Sequence, residues 1–321
     1  MLKGTRTLAW PVAAVLLVLP LSIPDAGAAP RPAAERTWDA AADDPCEASI
    51  PRAAAELGKP PSVPARLPAR RGHATKSGPH RLIGTPPKGK ARHGASATAN
   101  DSVGLLYGED NDGKCQFSTA SVVISPVGKT VLATAAHSVY IFKGEKPNRR
   151  PVGWLHKVFF IPAWQKGKPY PYGKFAGIRG RVEPEWLVNG DYENDLAFVL
   201  LKPDARGRQL SDLVTQFGLE FNKPMDQKPR MTLFGYYDLD RLTTCEGPTT
   251  FGFPAVKKQI KMRNCLTTEG SSGGPWYADY TVTYGYVNGV TSVVLSNEPS
   301  TVYSVYFDDV AYDAYKDLSE S

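Results

Sequence analysis

The sequence predicts an all-β body closed by one terminal helix, and three observations carry that prediction. From about Asp101 onward, short β-branched and aromatic runs are separated by Gly, Pro, Asn and Asp, the punctuation of strands joined by turns. Amphipathic helical spacing is almost absent from this stretch, so the alternating strands and helices of an α/β fold are not expected. The exception is the end of the chain, where Val310, Ala311, Ala314, Tyr315 and Leu318 fall on one helical face.

The strand runs are, in order, SVGLLY (102–107), STASVVIS (118–125), TVLATAA (130–136), KVFFIPA (157–163), LAFVLL (196–201), RMTLFGY (230–236), YGYVNGVTSVV (284–294) and TVYSVYF (301–307). So many short strands at close spacing read as a sandwich or a pair of barrels. Residues 101–321 are enough for two small barrels sharing one interface.

Two segments precede that body. Lys3 and Arg6 lead an apolar run from Ala13 to Leu21, and Ala26-Gly27-Ala28 then supplies a small-residue cleavage site. Residues 1–28 are therefore expected to be a signal peptide cut near Ala28, and the protein to be secreted. The run is too short to span a bilayer, and no later segment reaches the roughly 20 apolar residues a span needs, so no membrane association is expected. Residues 29–100 are rich in Pro, Ala, Arg and Gly and poor in aromatic and β-branched residues. Such a composition buries too little apolar surface to offset ordering entropy, so PPSVPARLPARRG and TPPKGKARHG are expected to be extended or disordered. The segment reads as a prosegment removed on maturation, with Arg70-Arg71 and the Lys88–Arg92 cluster as processing sites, or as a plain linker.

The net charge of +6 belongs to that segment. Residues 29–100 hold twelve Lys/Arg against six Asp/Glu, whereas residues 101–321 hold 24 against 25. A near-neutral body offers a polyanion no electrostatic footprint, and no nucleic-acid partner is expected. The four cysteines of an exported chain imply two disulfides, for which three pairings exist. No C-x-x-C and no pair of histidines at ligand spacing occurs, so a metal site is not expected. Cys245 and Cys265 both lie shortly before the serine motif and are paired as a brace for that loop; Cys46–Cys115 then follows by elimination alone.

The sharpest motif is Gly270-Ser271-Ser272-Gly273-Gly274-Pro275. A serine hydroxyl is a poor nucleophile at neutral pH and has to be presented on a tight turn beside a base. On its own the motif would be a Gly/Ser-rich turn between strands. Two histidines remain in the body: His156 lies in an alternating apolar stretch and reads as a strand residue, whereas His137 ends the apolar run TVLATAAH, where its imidazole can reach a neighbour. Asp195 opens the apolar run of NDLAFVLL, a carboxylate that needs a cationic or N–H partner, although Asn194-Asp195 would also suit a strand-entry turn. Gly270-x-Ser272-x-Gly274 fits the nucleophile turn of α/β-hydrolases too, but their histidine follows the serine and no histidine follows Ser272.

TAAH at 134–137, Asp195 with its following apolar-Ala-apolar pattern, and GSSGGP at 270–275 occur in the order His, Asp, Ser, with spacings of 58 and 77 residues. Together they resemble the chymotrypsin/trypsin-like serine peptidases, in particular the secreted bacterial branch whose serine motif reads GSSGGPW, over about residues 102–317. The resemblance implies two six-stranded antiparallel β-barrels, chymotrypsin-like, with a short C-terminal helix. It implies a catalytic triad of His137 as base, Asp195 as its orienting carboxylate and Ser272 as nucleophile, with the N–H groups of Gly270 and Ser272 as oxyanion hole. Polypeptide substrates, a monomer and no cofactor follow, since that chemistry is complete in side chains and backbone.

The chain also departs from the family. Ser271 precedes the nucleophile where the animal enzymes have an aspartate that pairs with a freed N-terminus, so any control by the prosegment is expected through steric blocking or a Cys46 tether. Ser138 and Ser118 stand where many relatives carry a cystine. Leu266 replaces the aspartate of trypsin-like specificity, and Thr291 falls near the histidine of Glu-specific relatives. Leu266, Thr267, Thr291, Ser292 and Val294 are expected to line the substrate pocket, with an apolar or small residue before the scissile bond. The competing class is a catalytically silent, protease-like secreted binding protein that keeps the motifs without turnover.

Overall fold

The computed structural model describes residues 34–39, 43–50, 62–63, 78–84, 101–144, 148–239, 241–252, 258–295 and 297–320. The expected signal peptide, Arg70-Arg71 and the Lys88–Arg92 cluster lie outside the described residues. Three short strands come from the segment before the body: β1 (Glu35–Thr37), β2 (Ser62–Val63) and β3 (Arg81–Ile83). The body opens with β4 (Val103–Glu109), β5 (Cys115–Val123), β6 (Val131–Thr134) and the hairpin of β7 (Tyr140–Lys143) and β8 (Arg150–Trp154). Next come β9 (Val158–Pro162), β10 (Phe175–Val182), a short helix α1 (Pro184–Asn189) and β11 (Ala197–Leu201). After β12 (Gly218–Phe221) follow β13 (Arg230–Tyr237), β14 (Arg241–Phe251) and β15 (Gln259–Arg263). The chain ends with β16 (Pro275–Thr281), β17 (Tyr284–Leu295), β18 (Thr301–Tyr306) and helix α2 (Asp309–Ser319).

Pairing closes two rings of six antiparallel strands. The first runs β10-β11-β6-β5-β4-β9 and closes where Phe160 of β9 opposes Phe175 of β10. The second runs β16-β13-β14-β15-β18-β17 and closes where Pro275 opposes Val290. Closure satisfies backbone groups that an open sheet would leave on its edges. Because side chains alternate across a strand, each ring buries one face inward. Leu106, Val122, Leu132, Phe160, Phe175 and Val199, one from each strand, fill the first barrel. Leu233, Ile260, Trp276, Val294 and Val302 fill the second. The outward face is buried too where the barrels meet: Leu105, Phe198, Phe217, Val287 and Phe307 form one cluster with the buried face of α2. Strands buried on both faces are why runs such as LAFVLL are continuously apolar rather than alternating.

Helix α2 buries Ala311, Ala314, Tyr315 and Leu318, four of the five residues on its expected face. Asp308 caps it, its carboxylate accepting from the N–H groups of Val310 and Ala311 at 2.9 and 3.2 Å. The eight apolar runs correspond to eight of the twelve barrel strands; β10, β14, β15 and β16 complete the rings. The segment before the body is not separate from it. β1 pairs with β10, β3 with β12, and β2 with β17. Cys46 and Cys115 form a disulfide, as do Cys245 and Cys265.

Candidate active site

Ser272 sits on the turn that links β15 to β16, and the turn is shaped by glycine. Gly270 and Gly273 hold φ of +91° and +77°, the left-handed region where a side chain is strained. A Cβ on Gly273 would also overlap Thr134 Oγ1 and the Thr119 carbonyl, so the loop lies directly against the first barrel. Thr119 of β5 ties it there: its N–H donates to the Ser272 carbonyl at 2.8 Å and its hydroxyl to the Gly270 carbonyl at 2.6 Å. Gly273 N–H and the Gly274 carbonyl bond Thr291 of β17, fixing the loop to the second barrel. Ser271 donates its hydroxyl to the Thr268 carbonyl at 2.6 Å and so closes the loop on itself.

The same loop orients two backbone amides. The Glu269 carbonyl accepts from Asp238 N–H at 3.1 Å, and the Ser271 carbonyl accepts from Gly274 N–H at 3.0 Å. A planar trans peptide sets C=O and N–H in opposite directions. Anchoring these carbonyls therefore turns the N–H groups of Gly270 and Ser272 the other way.

His137 follows β6 on a single helical turn of Ala136–Ser138. Its ring Nδ1 lies 2.7 Å from Asp195 Oδ2, and its backbone N–H donates to Asp195 Oδ1 at 2.8 Å. Asp195 is 0% exposed and takes a third hydrogen bond from the Ser292 hydroxyl at 2.6 Å. An ionised carboxylate only accepts, so Nδ1 carries a proton and Nε2 is left as an acceptor in the neutral ring. Trp186 and Tyr192 flank the imidazole with ring centroids 6.4 and 6.5 Å away. His137 and Ser272 share the lining of a cavity of about 280 Å³ with Cys115, Gln116, Phe117, Ser118, Ser138, Glu269 and Gly270.

Behind Asp195 lies a buried group of charges. The Lys258 ammonium donates to Asn194 Oδ1 at 2.9 Å and lies 3.8 Å from Asp308 and 4.0 Å from Glu183. Burial pushes the Glu183 carboxyl up to about 8, because Lys258 is too distant and too shared to offset it. Burial also draws the Lys258 ammonium down, but Glu183 and Asp308 outweigh it and hold it above its ordinary value.

Leu266, Thr267, Thr291, Ser292 and Val294 were expected to line the substrate pocket. None borders the cavity beside Ser272. Leu266 is 70% exposed, Thr267 is buried, and Val294 packs inside the second barrel. Thr291 is buried with its hydroxyl accepting from Trp276 Nε1 at 2.9 Å, and Ser292 serves Asp195 instead. Sequence reasoning passed over Glu269, though it stands one residue before the motif, and the carboxylate donor in Ser292, for which no local signal exists.

Among solved structures the chain is similar to a thermostable serine protease, AL20, from an extremophilic microorganism, with 24% identity and a TM-score of 0.59 over 69% of this chain and 98% of that one. It is similar to the protease Anisep from Arthrobacter nicotinovorans, with 24% identity and a TM-score of 0.60 over 75% and 99%. The fold is that of the chymotrypsin-like serine proteases. A Glu endopeptidase shares this fold at 13% identity, with a TM-score of 0.52 over 70% of this chain and 93% of that one. No protein-family model matches the sequence, and no curated protein matches it. In this chymotrypsin-like frame His137 and Asp195 belong to the first barrel, and the Ser272 loop to the second.

Proposed function

We propose that the protein is a secreted serine endopeptidase that hydrolyses peptide bonds through an acyl-enzyme on Ser272. The observation that carries this reading is the imidazole of His137, held by Asp195 through both its backbone N–H and Nδ1 while Ser272 borders the same cavity. His137 Nε2 takes the hydroxyl proton as Ser272 Oγ attacks the scissile carbonyl, and returns it to the leaving amine. Asp195 fixes the tautomer and stabilises the imidazolium. The N–H groups of Gly270 and Ser272 receive the oxyanion, a contribution on the order of 10²–10³ in rate in related systems. Water then repeats the attack and releases the acyl group.

Two features bear on regulation and locale. Ser271 braces the loop through Thr268, so shaping the oxyanion site does not require a newly freed N-terminus. The two disulfides suit an oxidising compartment and support export. The Glu preference in the name of one structural neighbour is not expected here, because Thr291 is buried, uncharged and bonded to Trp276.

The test is labelling of the secreted protein with a fluorophosphonate, which reacts with a serine activated by an adjacent base. The expected result is an adduct on Ser272 that disappears in His137→Ala. A folded, disulfide-intact protein without that adduct would favour the binding-protein reading.

A further inference from the structure

The cavity beside Ser272 carries chemistry that the proton transfers do not use. Its one carboxylate is Glu269, half-buried, and burial followed by the charge of Asp238 pushes the Glu269 carboxyl up. Asp238 has a buried carboxylate oxygen, Oδ1, without a hydrogen-bond partner. No cation lies within ion-pair distance of either carboxylate among the described residues. The Ser138 hydroxyl, from a lining residue that is 4% exposed, is likewise buried without a partner. Two carboxylates that repel each other, one of them on the cavity wall, are stabilised by a positive charge that arrives with a ligand. Among the described residues no group of three or more His, Cys, Asp or Glu could hold a metal ion, which favours an organic cation. A volume of about 280 Å³ is near the lower limit of small-molecule sites and suits one side chain.

We propose that this cavity receives a lysine or arginine side chain of the polypeptide substrate, on the leaving-group side of the scissile bond, and that Glu269 selects it. The side is set by His137 and Ser138, which form one wall: the amine that takes its proton from His137 departs along them. The methylenes of the incoming side chain lie along Phe117 and the Cys115 end of the disulfide, and the cation reaches Glu269. Through its bond to Cys115, Cys46 tethers the segment before the body to this wall. The inference rests on the peptidase reading and adds a substrate class to it.

The experiment is digestion of a peptide library by the full-length secreted protein, with cleaved bonds mapped by mass spectrometry and fluorophosphonate labelling run in parallel. Lys and Arg are expected to be enriched just after the cleaved bond. For matched peptides differing there in lysine or norleucine, the kcat/KM ratio is expected to be roughly fivefold in favour of lysine. Glu269→Gln is expected to abolish that ratio and Glu269→Lys to turn it toward acidic residues. Ser272 labelling and turnover without the enrichment, or with an enrichment that Glu269→Gln leaves intact, would overturn the subsite alone. Absence of both adduct and turnover would remove the peptidase reading and the subsite with it.

Discussion

Asp195 receives three donors, and two of them come from one residue. His137 offers its backbone N–H and Nδ1, and Ser292 offers the third bond from β17 of the other barrel. The first relationship was expected only from the resemblance carried jointly by TAAH, Asp195 and GSSGGP, since each position taken alone also suits a strand end or a turn. The second was not, because which face of β17 a serine occupies depends on register, and Ser292 was expected in a pocket wall. The two placements of Ser292 make different kinetics. A donor to a buried carboxylate is worth about 1–3 kcal/mol, so Ser292→Ala is expected to lower kcat on the order of tenfold or more while KM changes little. A change confined to KM would put Ser292 against the substrate instead. Leu266, 70% exposed, illustrates the same limit: a position counted back from the nucleophile fixes the chain but not the direction of the side chain.

Strands that read as apolar, β-branched or aromatic runs were legible in the sequence, whereas strands broken by glycine, charge or threonine were not. β10 carries two glycines and two arginines, and β14, with Thr, Glu and Pro, is mostly exposed or half-exposed. Neither stands out as an apolar run, yet both barrels need them to close. The junction of elements behind Asp195 is another feature without a sequence signal. Glu183 precedes α1, Lys258 precedes β15, and Asp308 caps α2, so three distant stretches meet at one buried cation. The pH dependence of stability follows from Glu183. Its carboxyl is raised from 4.5 to about 8 in the folded chain, so between those values the native state holds a proton that the unfolded state has released. Stability from this group is therefore lost as pH rises through that window, and the loss is complete above about 8. Glu183→Gln has no proton to lose. Its melting temperature relative to wild type is expected to improve from about pH 5 to about pH 8 and to level off above that, as scanning calorimetry up to about pH 9 would measure. A difference that stays flat or shrinks with pH would mean that Glu183 is ionised in the folded protein.

Across the whole molecule, composition describes the segment of residues 29–100 poorly at the points where it touches the body. Trp38 is 4% exposed within the first barrel's core, its Nε1 donating to the Leu155 carbonyl at 2.8 Å. Asp44 accepts from the Tyr107 hydroxyl at 2.6 Å and from Lys174 at 2.7 Å, and Cys46 is joined to Cys115. Farther along, β3 extends the second barrel's sheet through β12, Arg81 pairs with Asp309 and lies over the Tyr312 ring, and His80 meets Glu220 at 2.7 Å. One part of the segment thus grips the first barrel and another part the second. These anchors are single residues in a Pro- and Arg-rich background, and averaged composition does not register them. A removable prosegment would have to break them all, including a covalent bond that closes 69 residues, a closure worth roughly 4 kcal/mol in the chain-entropy account. Cleavage at Arg70-Arg71 or at Lys88–Arg92 is therefore expected to leave the amino-terminal fragment attached. Non-reducing electrophoresis of the cleaved protein should give one band that reduction splits into two, and a Cys46→Ala, Cys115→Ala double variant should migrate as two without reduction. If the intact-cysteine protein instead releases the fragment without reductant, the bond between Cys46 and Cys115 does not persist in the mature protein, and Cys115 lines the cavity beside Ser272 without its tether to the amino-terminal segment.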